Sequence, residues 1–153
     1  MSLLDDDPVA WLLAVEQIRL LASRYAIALD ARDLDTLVGL FVDDVQVGKQ
    51  RTGHAALHMN FDAQLRPLGR TILVTGNHVI DVLDADHATG IVSCRAEIER
   101  DGQTIVQQIQ YHDKYERRAT RWLFVRRRHL LIYDGDERGP LPESLPSWKA
   151  FYG

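Results

Sequence analysis

Tyr25 and Asp30 close an apolar-periodic stretch and are the first residues along the chain whose types invite chemistry. A carboxylate in the last turn of a helix meets the negative end of the helix dipole, and beside an apolar cavity its charge is costly. Such a group can take a proton from carbon near neutral pH, while a neighbouring phenol donates a hydrogen bond to an oxygen. The competing reading is structural, with Asp30 bonding the turn or pairing with Arg32. His78, in Gly76-Asn77-His78, offers an imidazole that shuttles a proton if it points inward and is an ordinary strand histidine if it does not.

His54 and His58 stand at i and i+4, a spacing that can hold a metal. No further ligands complete the set and HExxH is absent, so no metal is expected, and His54 is instead a candidate for lining a pocket. Arg117, Arg118, Arg121 and Arg126 to Arg128 form a basic cluster. Strand alternation divides its last three residues between faces, and no nucleic-acid signature surrounds them. Cys94 reads as a small core residue. The chain has no Gly-rich phosphate loop, GxSxG elbow or CxxC pair.

The elements that must position these groups follow from periodicity. Asp7 caps and Pro8 opens a long helix, striped by Val15, Ile18, Leu21, Ala22, Tyr25, Ala28 and Leu29. Asp33 caps a short second helix carrying Leu34, Leu37, Leu40 and Phe41. Val45–Val47 reads as a brief strand, and a third helix runs from Gly53 to about Leu65. Beyond Thr71 the period changes to two. Residues 72–83, 89–99, 104–116 and 122–133 read as strands, and Asp101-Gly102 marks a hairpin. The gaps are too short for crossover helices, so the sheet is antiparallel and the class is α+β. Residues 134–153, with Trp148, Phe151 and Tyr152, read as an extended arm of a single domain spanning 1–153.

Composition sets the outer bounds. The 153 residues are 46% hydrophobic with a net charge of −4, which suits one globular domain and argues against nucleic acid as a partner. A single cysteine fits a reducing cytoplasm, and no stretch approaches the roughly 18 apolar residues of a membrane span.

Leu21-Ala22-Ser23-Arg24-Tyr25, Leu29-Asp30 and Leu37-Val38-Gly39-Leu40-Phe41 resemble the opening of SnoaL-like proteins, of the nuclear transport factor two-like superfamily. Tyr111-His112-Asp113-Lys114-Tyr115-Glu116-Arg117-Arg118 followed by Trp122 resembles its late hairpin. The resemblance implies helices on a strongly curved antiparallel sheet, cone-shaped, with an internal pocket. It also implies dimers or trimers, and it brings in the superfamily's cofactor-free lyases: bile acid 7α-dehydratase, scytalone dehydratase and hexachlorocyclohexane dehydrochlorinase. Tyr25 and Asp30 match residues of such enzymes, whose aspartate works with a histidine. Counting back without gaps from Ala88-Thr89-Gly90 places that histidine at Leu73 and a second aspartate at Ala96, so His78 serves only if a bulge turns it inward.

The resulting expectation is a lyase or isomerase without cofactors, acting on a hydrophobic ring-bearing small molecule. Asp30, His78 and Tyr25 would be catalytic, and Leu73, Ala96, Ile98, Tyr111 and His54 would line the site. The alternative is a non-catalytic binding or assembly module of the same fold.

Overall fold

The computed structural model describes residues 3–135, so all but the first two residues of the expected arm lie outside the described residues. A single turn, α1 (Leu3–Asp6), precedes α2 (Pro8–Asp30), α3 (Leu34–Gly39), the two-residue strands β1 (Gln46–Val47) and β2 (Arg51–Thr52), and α4 (His54–Leu65). Four long strands follow: β3 (Thr71–Val82), β4 (His87–Arg100), β5 (Gln103–Arg118) and β6 (Arg121–Asp134). They form one antiparallel sheet in the order β3-β4-β5-β6. The sheet does not close into a barrel, and β3 and β6 remain its edges. Among the described residues no helix is long and apolar enough to cross a membrane.

The expected caps form. Asp7 Oδ1 accepts from the Ala10 amide and Asp33 Oδ1 from the Thr36 amide. The α2 stripe is buried from Ala14 to Leu29 against the sheet, with Val92, Cys94, Ala96 and Ile98 of β4 facing it. Asp101 and Gly102 both take positive φ, 52° and 75°, between the paired residues Arg100 and Gln103, the two-residue turn that a tight hairpin requires. Gly90 is needed for a different reason. A Cβ there would stand 2.7 Å from the Val79 carbonyl and 3.2 Å from the Tyr115 ring, so its absence lets that ring lie over β4.

Arg32 ends α2 in the left-handed region, φ 58°, and folds its guanidinium back onto the structure. It donates to the carbonyls of Leu29 and Gly69 and to Thr71 Oγ1, which ties the helix end to the start of β3. Two irregularities then decide which side chains face inward. A bulge between Thr75 and His78 in β3 turns His78 toward the helices opposite Val92. In β6 the register slips by one: Tyr115 pairs with Phe124, but Lys114 pairs with Arg126 and Asp113 with Arg127. Simple alternation groups Arg127 and His129 with Leu123 and Val125. The slip instead puts them on the inner face with Phe124, opposite Asp113 and Tyr111.

Candidate active site

Between α2, the end of α4 and the inner face of the sheet lies a cavity of about 220 Å³. Its walls include Leu29, Leu65, Leu73, Ala96, Ile98 and Ile109. Polar groups enter from Tyr25, Thr71, Tyr111, His129, Gln107 and Arg100. A second cavity, of about 890 Å³, shares Tyr25, Phe61, Gln64, Tyr111 and His129 with it and opens toward the β6 edge. The two read as lobes of one chamber.

Of the residues expected to line a site, Leu73, Ala96, Ile98 and Tyr111 border the first lobe, and Tyr25 borders both. His54 borders neither. Its Nε2 lies 2.9 Å from the Phe41 carbonyl, where the ring ties the first turn of α4 to the segment after α3.

Asp30 is half-buried and both carboxylate oxygens are engaged. Oδ1 accepts from Thr71 Oγ1 at 2.8 Å and Oδ2 from the Leu73 amide at 2.9 Å. It stands behind the chamber wall rather than in it, holding two residues that line the lobe. Because Arg32 also donates to Thr71 Oγ1, the hydroxyl is oriented to donate to Asp30.

The structure does not bring His78 to Asp30. Five residues of extended strand separate Leu73 from His78, roughly 15 Å along β3. The bulge does turn His78 inward, but onto a different partner: Nε2 lies 3.1 Å from Tyr115 Oη, which in turn donates to Asp113 Oδ2 at 2.8 Å. Burial pushes the His78 imidazole down to about 4, with the Asp113 charge opposing. The expected Asp30–His78 pair is therefore not formed, because Asp30 is held at Leu73 near the start of β3 while His78 lies further along the strand against Tyr115.

What sequence reading missed is a buried charge pair and a different histidine. Arg127 Nε and Nη2 donate to Asp113 Oδ1 and Oδ2 at 2.9 and 2.8 Å. The two side chains are 4% and 0% exposed. The guanidinium carbon lies 4.3, 4.0 and 4.5 Å from the ring centroids of Tyr25, Tyr111 and Phe124, so the pair sits within an aromatic cage. Burial works against the Arg127 charge, but the Asp113 carboxylate outweighs it and holds the guanidinium fully protonated. His129 is the imidazole that borders both lobes. It stands at the rim, edge-on to the Tyr111 ring at 5.7 Å, and partial burial pushes it below the usual histidine range. Burial also raises Tyr25 to about 12, with Arg127 opposing, so the phenol keeps its proton at neutral pH. The signal for all three was the pairing of β5 with β6. A straight count from the Ala119-Thr120 turn sets Asp113 against Arg126, and only the one-residue slip substitutes Arg127.

Comparison with known proteins agrees with this architecture. The model of the SnoaL-like domain matches residues 10–128. No curated protein matches the chain. Among solved structures, a scytalone dehydratase-like protein from Novosphingobium aromaticivorans superposes with a TM-score of 0.75 at 20% identity, over 90% of this chain and 98% of that one. A type 2 hexachlorocyclohexane dehydrochlorinase gives 0.73 at 22% identity, over 91% and 100%. The type 3 dehydrochlorinase of Novosphingobium barchaimii gives 0.74 at 22%, over 92% and 100%. At such identities the likeness is one of fold. With the family model covering most of the sequence and the helices packed on a four-stranded antiparallel sheet, the chain belongs to the SnoaL-like domain family, within the nuclear transport factor two-like fold.

Proposed function

We propose that the chamber takes a hydrophobic ring-bearing small molecule and acts on it by acid–base chemistry without a cofactor, as a lyase or isomerase. The observation that carries this is the placing of one neutral imidazole, His129, and two protonated phenols, Tyr25 and Tyr111, on a single chamber with aliphatic walls. A ring nitrogen of His129 accepts a proton from a carbon next to an activating group, and Tyr25 donates a hydrogen bond to the carbonyl or leaving oxygen. Asp30 enters as a positioning residue that fixes Thr71 and Leu73 in the wall.

The separation of Asp30 from His78, and a leucine at position 73, favour the second reading: a binding module with the same chamber and no turnover. Both readings include a homo-oligomer, a dimer or trimer, formed through the outer sheet face where Ile72, Val74 and Val79 are exposed.

A thermal-shift screen of hydrophobic ring compounds, followed by turnover assays of the hits, tests the proposal, because a pocket ligand raises the melting temperature by mass action. Hits that are turned over by the wild type, and bound but not turned over by His129→Asn, support the enzyme. Hits bound and never turned over support the binding module. A screen without hits removes both.

A further inference from the structure

The helix that covers the sheet carries apolar residues on two sides. One side of α2, from Ala14 to Leu29, is buried, and among the described residues α1, α3, β3 and β6 are the main elements packed against the helix. On the opposite side Val9, Leu13, Leu20 and Ile27 are 66%, 57%, 44% and 71% exposed. Leu13, Leu20 and Ile27 follow one another at seven-residue steps, each of which falls only ~20° short of two full turns. With Val9 they form a single row about 27 Å long, half a turn around the helix from the fully buried Ile18. Apolar side chains scattered over a surface need no explanation, but a row at heptad spacing is the pattern of a seam between helices.

The row is complementary to itself. Against a second copy running in the opposite direction, with the two-fold axis at Leu20, Leu20 meets its counterpart and Leu13 meets Ile27, since each lies seven residues from the centre. Exposed polar residues flank the row, Glu16 and Ser23 on one side and Gln17 and Arg24 on the other. A two-fold axis perpendicular to both helices keeps each flank on its own side. Glu16 then meets Ser23, Arg24 meets Gln17, and none of these four faces a like charge. A parallel pairing would instead align the two helix dipoles and bring Asp5, Asp6 and Asp7 of both copies to the same end. The same three aspartates disfavour an anionic membrane surface as the occupant.

We propose that the outer row of α2 is an interface between two copies of this chain, antiparallel and centred on Leu20. The row offers on the order of 400 Å² per copy, about half of a standard interface, so the pair is a weak one. It forms at protein concentrations on the order of 100 μM and above, whereas dilute protein is unpaired at this surface. The contact is separate from the outer sheet face, which lies across the sheet from α2, and either contact forms without the other.

The test places single cysteines on the exposed row of the full chain, whose own Cys94 is fully buried. Under mild oxidation of concentrated protein, Leu20→Cys is expected to form a disulfide-linked dimer, because the axis sets the two side chains face to face. Leu13→Cys and Ile27→Cys are expected to link to one another when mixed, as read by mass spectrometry, and each far less to itself. Sedimentation of the wild type should give a weight-average mass that rises with concentration, and should do so in the Val74→Lys/Val79→Lys background as well. Leu20→Glu/Ile27→Glu should raise the dissociation constant at least ~10-fold with little change in melting temperature, since both positions are exposed. Leu13→Cys linking to itself as readily as to Ile27→Cys overturns the antiparallel pairing. Absence of disulfide dimers together with a mass independent of concentration overturns the interface and leaves the row to another occupant. A concentration dependence that vanishes in the Val74→Lys/Val79→Lys background overturns it as well and assigns the association to the sheet face.

Discussion

Replacing Arg127 with methionine keeps an unbranched side chain in the aromatic cage but leaves the Asp113 carboxylate without its two guanidinium donors. Because Asp113 is wholly buried, water cannot take their place. Breaking one side of a buried ion pair costs about 3–5 kcal/mol, far more than the pair's net worth against an apolar replacement. Lost stacking on the cage adds about 0.5–2 kcal/mol. A domain of this length shifts its melting temperature by about 2–4 °C per kcal/mol, so the variant should melt roughly 7–28 °C below the wild type. Urea unfolding should show a lower midpoint at unchanged slope. Asp113→Leu/Arg127→Met removes both charges and should recover most of the loss. A single variant costing under about 1 kcal/mol, or a double variant no better than the single, would refute the account of a desolvated carboxylate that depends on its guanidinium.

Three further outcomes follow from the same contacts. Asp30→Asn removes a charged acceptor from Thr71 Oγ1 and sets an amide N–H against one of two donors, so it should destabilise by about 1.5–3 kcal/mol in thermal melts, where a purely catalytic carboxylate would leave stability unchanged or raise it. His78 binds a proton in the unfolded chain near pH 6.5 but in the folded chain only near 4, so between these values the unfolded state holds more protons and stability falls as the pH is lowered from 6.5 to 4. His78→Gln should flatten that limb of a stability–pH profile, and an unchanged limb would assign it to other groups. Val74→Lys/Val79→Lys should shift a dimer or trimer to monomer in light scattering without lowering helix content, because both side chains are exposed on the outer sheet face.

Local patterning fixed most of the scaffold. The α2 stripe, the caps at Asp7 and Asp33, the Asp101-Gly102 turn and the period-two runs each depend on residues within a few positions of one another. The inner faces of β4 and β5 were legible for the same reason, since alternation between them runs without interruption, and Ala96, Ile98 and Tyr111 border the chamber as that alternation implies.

What the sequence could not settle was decided by two single-residue irregularities and one helix end. The bulge after Thr75 carries His78 to Tyr115, and the slip at Val125 sets Arg127 and His129 on the inner face. The left-handed Arg32 brings Asp30 against Thr71 and Leu73 rather than into the cavity. A one-residue shift in a strand reverses every side chain beyond it, and no local preference announces where the shift falls. Composition and periodicity thus dictated that helices would cover an antiparallel sheet, and a chamber between them was implied only by the family resemblance. Long-range pairing alone chose which imidazole and which guanidinium face it.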